Sequence, residues 1–220
     1  MIIDFKAHIM PGMDKTCKSR IDTIRRLMAA KDAGVDLIVA APVYDPDEST
    51  VEEFLERREK SQDILDSLMN EELPEVLPAA MVIYRDSLLT AQGLEKLCFG
   101  DKCLLLSMKD AEWNDTTEAV LRRLTGALGM KVILANAGEA VLKHGEKMQQ
   151  LGVHVLLDLD EIHHKKQIRA FLPFIANGLI SALGSDWESE SPYRFLRKAI
   201  RRMDAAFDTI MCASAKLLGK

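Results

Sequence analysis

Cysteine is scarce in this sequence of 220 residues, which has four: Cys17, Cys98, Cys103 and Cys212. Their spacing forms neither a Cys-x-x-Cys pair nor a zinc-binding pattern. None of them stands in a phosphate-cradling loop that ends in arginine, which excludes the cysteine-nucleophile class of phosphatase. We expect four free thiols, because disulfides are rare in a reducing compartment.

Long apolar runs are missing as well. The best candidate, Phe171 to Leu183, is shorter than the ~20 residues that a membrane-spanning helix needs, and it contains Pro173. Asp4 and Lys6 interrupt the first apolar run, which is not the pattern of a signal peptide. We therefore expect a cytoplasmic protein without membrane insertion.

The excess of one charge sign is small, with 29 Lys and Arg against 34 Asp and Glu and a net charge of −5. This balance argues against a general binder of nucleic acid or of membrane surfaces. The sequence has no internal repeat and no linker rich in Pro, Gly or Ser. It therefore predicts a single domain over residues 1–220.

Seven short β-rich runs alternate with helical stretches. The runs are Ile2–Phe5, Leu37–Val43, Val76–Ile83, Cys103–Met108, Lys131–Ala135, Val153–Leu157 and Leu179–Leu183. Several show little polar alternation, which is typical of strands buried on both faces. The alternation predicts an α/β fold with a parallel sheet. About seven strands fit a closed, TIM-type barrel about as well as an open doubly wound sheet, and periodicity does not separate the two.

Helix signals lie between these runs. Apolar residues at helical spacing precede Gly34, a C-terminal stop, and they are Ile21, Ile24, Leu27 and Met28. Ser49 or Thr50 is the candidate cap of the next helix. Another helix follows Thr116 or Thr117. The remaining helices are expected at Glu139–Leu151, Glu161–Phe174 and Tyr193–Met203, and toward Leu218.

In an α/β barrel the chemistry lies at the C-terminal ends of the strands. The segments at these ends are Asp4–His8, Met10–Asp14, Ala40–Tyr44, Pro78–Val82, Ala135–Glu139 and Ser185–Glu188. In order and spacing they resemble motifs of the bacterial manganese-dependent protein-tyrosine phosphatases of the PHP (polymerase and histidinol phosphatase) superfamily, the type associated with capsule and exopolysaccharide synthesis. The resemblance implies a PHP-like, distorted TIM-type barrel with surrounding helices.

Most metal-ligand positions implied by the resemblance hold other residues. Lys6, Asn136 and Glu188 each stand where the family has His. Two further His positions hold Val43 and Tyr44. Two Glu positions hold Met81 and Ser107, and the Arg position holds Glu139. A phosphatase of this type uses its metals to activate a water and to hold the phosphoryl oxygens, so these changes oppose both tasks.

The remaining groups define the expected site. By resemblance, the vestigial metal ligands are His8, Asp186 and Glu188, with Asp4 beside them. They imply no metal or one weakly held divalent cation, and the metal that the resemblance implies is manganese. Lys6 and Arg194 are the candidate phosphate contacts. All these strand-end residues are expected to converge on one pocket, because barrel strands end at one face.

Two functions remain open. One is a catalytically impaired homologue that acts by binding, to a phosphotyrosine-bearing kinase tail or to a homologous subunit. The other is an active manganese-dependent phosphotyrosine phosphatase or phosphoesterase with a rearranged ligand set.

Two further features carry alternatives of their own. Asp160 and His164 are one helical turn apart, which suits either a metal-bridged pair or a solvated helix start. The second feature is a basic cluster, which fits either a solvated helix face or a docking site for an anionic partner. Its members are Arg194, Arg197, Lys198, Arg201 and Arg202.

Overall fold

The computed structural model describes residues 1–162, 165–188 and 204–220. Nine strands form one sheet in which every pairing is parallel. In chain order they are Ile3–Ala7 (β1), Leu37–Ala40 (β2), Val43–Tyr44 (β3), Glu75–Pro78 (β4), Met81–Ile83 (β5), Cys103–Ser107 (β6), Lys131–Ala135 (β7), His154–Asp158 (β8) and Ile180–Gly184 (β9).

The nine strands correspond to the seven predicted runs, because two runs are each divided in two. The run from Leu37 becomes β2 and β3, and the run from Val76 becomes β4 and β5. Strand β2 pairs with β4, and β3 pairs with β5. The Ala79 and Met81 amides donate across both breaks to the preceding run, at 2.8 and 2.9 Å. The strands thus follow one another around a barrel, and the parallel α/β barrel expected from the sequence is confirmed.

Helices follow most strands and cover the barrel. They are Arg20–Ala33 (α1), Val51–Asp66 (α2), Asp115–Arg122 (α3), Gly138–Gln150 (α4), Lys165–Ala176 (α5) and Asp204–Leu217 (α6). A π-helical turn over Arg123–Ala127 extends α3, and two short 3-10 helices cover Asp86–Leu89 and Leu94–Leu97. The helix predicted at Tyr193–Met203 lies outside the described residues.

Local signals set several helix ends. Gly34 ends α1 in the left-handed region with φ of 79°, as the sequence predicts. Thr50 caps α2, and its hydroxyl and the Glu53 side chain form a reciprocal capping box. No helix in the described part of the chain is long and apolar enough to cross a membrane.

The apolar residues that predict α1 are not all buried: Leu27 is buried, but the other three are exposed. Ile21 and Met28 are 72% and 55% exposed. Thr23 and Arg26 are buried instead, because both donate hydrogen bonds to backbone carbonyls inside the fold. These polar contacts determine which side of the helix faces the barrel.

Two apolar layers flank the sheet. The inner layer fills the barrel with residues such as Phe5, Leu105 and Ile133. Leu217 and Leu218 at the end of α6 belong to this inner layer and close the N-terminal end of the barrel beside Cys103. The outer layer lies between strands and helices. The opposite end, here called the barrel mouth, is where the C-terminal ends of the strands meet.

Candidate functional site

An irregularity in β1 turns Lys6 toward the barrel interior. Asp4 pairs with Ile38, but Ala7 pairs with Ala40, so β1 contains one residue more than β2 between these pairs. This is the pattern of a β-bulge, which changes the face to which the following side chains point. Ala7 consequently packs in the outer layer, and Lys6 reaches across the barrel mouth.

Glycine on the neighbouring strand makes room for this bulge. A Cβ at Gly184 would lie 2.8 Å from Cβ of Lys6, 3.2 Å from its backbone nitrogen and 2.8 Å from Cδ1 of Leu156. These separations are closer than side chains tolerate. The absence of a side chain at Gly184 therefore lets β1 approach β9 at the point where Lys6 turns inward.

Lys6 ends in a buried ion pair at the mouth. Its Nζ donates to Oδ2 of Asp158 at 2.6 Å and lies 3.5 Å from Oδ2 of Asp160. The Lys6 and Asp158 side chains are 5% and 3% exposed. Burial by itself lowers the pKa of Lys6, but the charge and hydrogen bond of Asp158, with Asp160 and Asp186, raise it above its ordinary value. Lys6 is therefore a fixed ammonium group.

Side chains from three other strands complete this network. Asn136, after β7, donates from Nδ2 to Oδ2 of Asp158 at 2.9 Å and to Oε1 of Glu161 at 3.0 Å. Ser107, at the end of β6, donates to Oδ1 of Asn136 at 3.0 Å. Ser185, after β9, donates to Oδ1 of Asp160 at 2.9 Å. The ends of β1, β6, β7, β8 and β9 are thus joined around one cation.

Asp4 lies beside this network rather than in it. Its carboxylate accepts from the Lys6 amide at 2.9 Å, from the Ser185 amide at 3.2 Å and from Nε1 of Trp187 at 2.9 Å. Asp4 is fully buried. These contacts hold the end of β9 against β1.

Two residues at the mouth have unusual backbone conformations. Asn136 and Trp187 have φ of 53° and 60°, in the left-handed region. This region is common for asparagine but unfavourable for a bulky residue. The buried hydrogen bond between Trp187 and Asp4 holds the tryptophan in place.

His8 and Arg26 form the other side of the mouth. The Arg26 guanidinium donates to the carbonyl oxygens of His8, Thr16 and Asp186, which ties together the segments after β1 and β9. Nε2 of His8 is buried and has no hydrogen-bond partner among the described residues. Burial and the charge of Lys6 lower the pKa of His8 to about 4, so the imidazole is neutral near pH 7.

Other predicted site residues do not all face the barrel mouth. Tyr44 packs edge-on against Phe54 in the outer layer with ring centroids 5.2 Å apart, so it does not join the mouth. Val43 is 40% exposed, whereas Met81 lies in the inner layer. Glu188 is exposed beside Asp186, to whose carboxylate its amide donates.

The last three candidates lie apart from the network or beyond the described chain. Glu139 is 94% exposed at the start of α4 and lies 3.8 Å from Lys143. Arg194 and His164 lie outside the described residues.

Sequence reasoning missed Asp158 and Arg26 as site residues, and it paired Asp160 with His164 rather than with the groups at the mouth. The two aspartates follow the sixth β-rich run, so the rule used for the other runs would have found them. Arg26 has no such signal, because it lies within a helix and acts through contacts to distant backbone.

The arrangement does not fit the multi-metal centre implied by the sequence resemblance. Carboxylates after β8 face the ammonium of Lys6, and Met81, Ser107 and Asn136 offer a thioether, a hydroxyl and an amide. Within the described ranges, no group of three or more His, Cys, Asp or Glu side chains is placed to hold a metal ion. Among the described residues, the cation that faces Asp158 and Asp160 at the mouth is the ammonium group of Lys6.

Asp14, in the loop after β1, is a buried carboxylate whose oxygens make no well-formed hydrogen bond in the described part of the chain. Burial raises the pKa of Asp14 to about 7. The backbone N–H groups of Val43 and Met10 and the charge of Arg26 act in the opposite direction, and Glu188 adds to the increase.

This shift predicts a pH dependence of stability. Unfolded Asp14 loses its proton near pH 3.8 and folded Asp14 near pH 7. Its contribution to stability is therefore complete below the lower value and is lost as the pH rises through the higher one. In Asp14→Asn we expect the free energy of unfolding, relative to the unsubstituted chain, to rise by roughly 3 to 4 kcal/mol from about pH 4 to about pH 8.

Urea unfolding at a series of pH values measures this difference. The lowered pKa of His8 makes stability rise with pH, which is the opposite dependence. Because His8 is present in both proteins, its contribution cancels to first order in the difference. A difference that does not change with pH would contradict the raised pKa of Asp14.

No family model matches the chain, and no curated protein sequence matches it either. The crystal structures of YwqE from Bacillus subtilis and CpsB from Streptococcus pneumoniae, unique metal-dependent tyrosine phosphatases, provide a chain that is similar to this one. The match covers 99% of this chain and 94% of that chain, with a TM-score of 0.71 and 18% sequence identity.

The chain has the fold of these tyrosine phosphatases. The fold expected from the strand-end motifs is therefore confirmed. N-isopropylammelide isopropylaminohydrolase from Burkholderia multivorans is also similar, over 99% of this chain and 74% of that chain, with 14% identity and a TM-score of 0.46. That likeness is too low to support an argument.

At 18% identity, the likeness to the tyrosine phosphatases establishes the fold and not the chemistry. In this version of the phosphatase fold, the strand ends carry the Lys6 ion pair described above.

Proposed function

We propose that this chain is a homologue of the PHP-type tyrosine phosphatases that has lost its metal centre and acts by binding. The ion pair of Lys6 with Asp158, with an N–O distance of 2.6 Å, is the observation that carries the proposal. The sequence resemblance implies metal ligands around manganese at this place. In this chain the cation there is the ammonium group of Lys6.

The first argument is competition for the carboxylates. A dication that enters the mouth would have to displace Lys6 from Asp158 and Asp160. Separating a buried pair leaves an uncompensated charge, at a cost of about 3–5 kcal/mol. Lys6 also remains nearby after displacement, where its charge repels the metal. The cost of separating the ion pair and the repulsion by Lys6 therefore both oppose metal binding.

The second argument concerns the substrate. A phosphoryl group carries about two negative charges, and its transfer needs positive groups in the transition state. At the mouth the positive charge of Lys6 is paired, and Arg26 donates to backbone carbonyls. Asp160, Asp186 and Glu161 add further acidic side chains around the opening. The charge balance opposes a phosphate ester.

The negative charge at the mouth also favours one of the two partners that the resemblance implies. Carboxylates repel a phosphotyrosine-bearing kinase tail, so we favour a homologous subunit as the partner, within the cytoplasm. The rival function, a manganese-dependent phosphoesterase with a rearranged ligand set, would need Lys6 to leave the mouth.

Hydrolysis of a phosphotyrosyl peptide, with and without added manganese, tests the proposal. We expect a rate near background in both conditions, because a metal-bound hydroxide is a nucleophile that bulk water does not replace at neutral pH. Elemental analysis of protein purified without a chelator is expected to show less than one transition metal per chain.

The control is the same assay on His8→Ala. Robust manganese-dependent hydrolysis by the unsubstituted chain that disappears in His8→Ala would mean that the chain is a divergent enzyme. Two or more tightly held metals per chain would reject the proposal independently of any activity.

A further inference from the structure

A cavity of about 550 Å³ opens beside the barrel mouth, between α4, α5 and β8. Small-molecule sites have volumes of about 300–1,000 Å³ and are mainly apolar. Buried apolar side chains form the floor of this cavity, among them Val141, Val155 and Ile180. The space therefore suits a ligand with an apolar body.

A carboxylate and an aromatic ring meet at the opening. Glu161 accepts from Asn136 on Oε1 at 3.0 Å, and no donor in the described part of the chain reaches its Oε2. A Cβ at Gly138 would lie 3.4 Å from that Oε2 and 3.6 Å from Cζ of Phe171. Glycine thus leaves space at a point bounded by a carboxylate oxygen and a ring. An ammonium there would contact both groups.

The charges around the cavity favour the same kind of ligand. Of the described residues that line it, Glu139, Asp158 and Glu161 are acidic and Lys166 is basic. Asp158 is already neutralised by Lys6. Glu139 is 94% exposed, with Nζ of Lys143 3.8 Å from its Oε2. Among the described residues this leaves Glu161 as the acidic lining residue without an ion-pair partner, and its charge attracts a cation and repels a phosphate or a carboxylate.

We propose that this cavity binds a small amphipathic amine, with its apolar body against Val141 and Val155 and its ammonium on Glu161. The inference goes beyond the function proposed above. It does not require that the metal centre be lost, because the ammonium contact is made by Glu161 and not by the ligands implied at the strand ends.

NMR titration of the full chain with three probes tests the proposal: hexylamine, hexanoate and phenyl phosphate. Hexylamine is expected to bind saturably, with a Kd in about the millimolar range that suits so small a ligand. Hexanoate and phenyl phosphate are expected to bind at least about tenfold more weakly, because they lose a charge-assisted hydrogen bond.

Substitutions locate the binding. Glu161→Gln should weaken hexylamine about tenfold, because it removes the charge and keeps the shape. Val141→Trp should abolish binding by filling the floor. Gly138→Ala, which only narrows the opening, is the second steric variant in case Val141→Trp does not fold. Glu146→Gln removes an exposed charge from the same helix and should leave the affinity unchanged.

Three outcomes would overturn the proposal. They are the lack of saturable hexylamine binding, phenyl phosphate binding as tight as that of hexylamine, and an affinity for hexylamine that neither Glu161→Gln nor the steric variants change. None of them bears on manganese content or on phosphotyrosine hydrolysis, so this proposal and the proposed function fail separately.

Discussion

Replacing Lys6 with methionine is expected to lower the free energy of unfolding by about 3–5 kcal/mol, because it leaves Asp158 buried without its cation. Chemical denaturation at neutral pH measures this loss. A second replacement, Asp158→Asn in the Lys6→Met background, should recover most of it, since the remaining partner of Lys6, Asp160, is 18% exposed and keeps its hydrogen bonds to Ser185 and the Asp186 amide.

Lys131→Met is the matched control. Nζ of Lys131 also lies 2.6 Å from a carboxylate oxygen, that of Asp101, but the two side chains are 36% and 64% exposed. We expect that substitution to change the free energy of unfolding by no more than about 1 kcal/mol. If Lys6→Met were equally mild, the ion pair at the mouth would not be the buried cation site that the proposed function requires.

A fourfold reversion is expected to produce the other large effect. It combines Lys6→His, Met81→Glu, Ser107→Glu and Asn136→His, which restores implied ligands at strand ends that face the mouth and frees Asp158. Manganese should then bind and raise the melting temperature, whereas the unsubstituted chain should show no such shift. Phosphotyrosine hydrolysis should rise by about 10²-fold or more over background, because the restored charges act together on the phosphoryl group.

Two further variants test whether the ligands act as a unit. Lys6→His alone should not restore hydrolysis, because metal ligands act as a unit. Adding His8→Ala to the fourfold variant should remove the gained metal affinity. A fourfold variant that unfolds cooperatively but does not bind manganese would contradict the placement of these positions around one centre. Val43→His and Glu188→His are a later step, since both residues are exposed.

Much of the fold could be predicted from the sequence, because its signals are local. β-Rich runs with little polar alternation are typical of parallel strands buried on both faces, and the observed strands lie within these runs apart from one or two residues at their ends. Gly34 and Thr50 end and begin helices through contacts within a few residues. The apolar spacing in α1 predicts the helix but not which side of it is buried, because distant backbone acceptors determine the position of Arg26.

From the sequence by itself came the resemblance of the strand-end motifs to those of PHP-type phosphatases, and with it the prediction that most of the implied ligand positions hold other residues. Only the tertiary structure decided which groups meet at the barrel mouth. The bulge in β1, the space at Gly184 and the contact of Lys6 with Asp158, 152 residues away, depend on how strands align. Strand register and ion pairing are non-local, so a pattern read along the chain does not contain them.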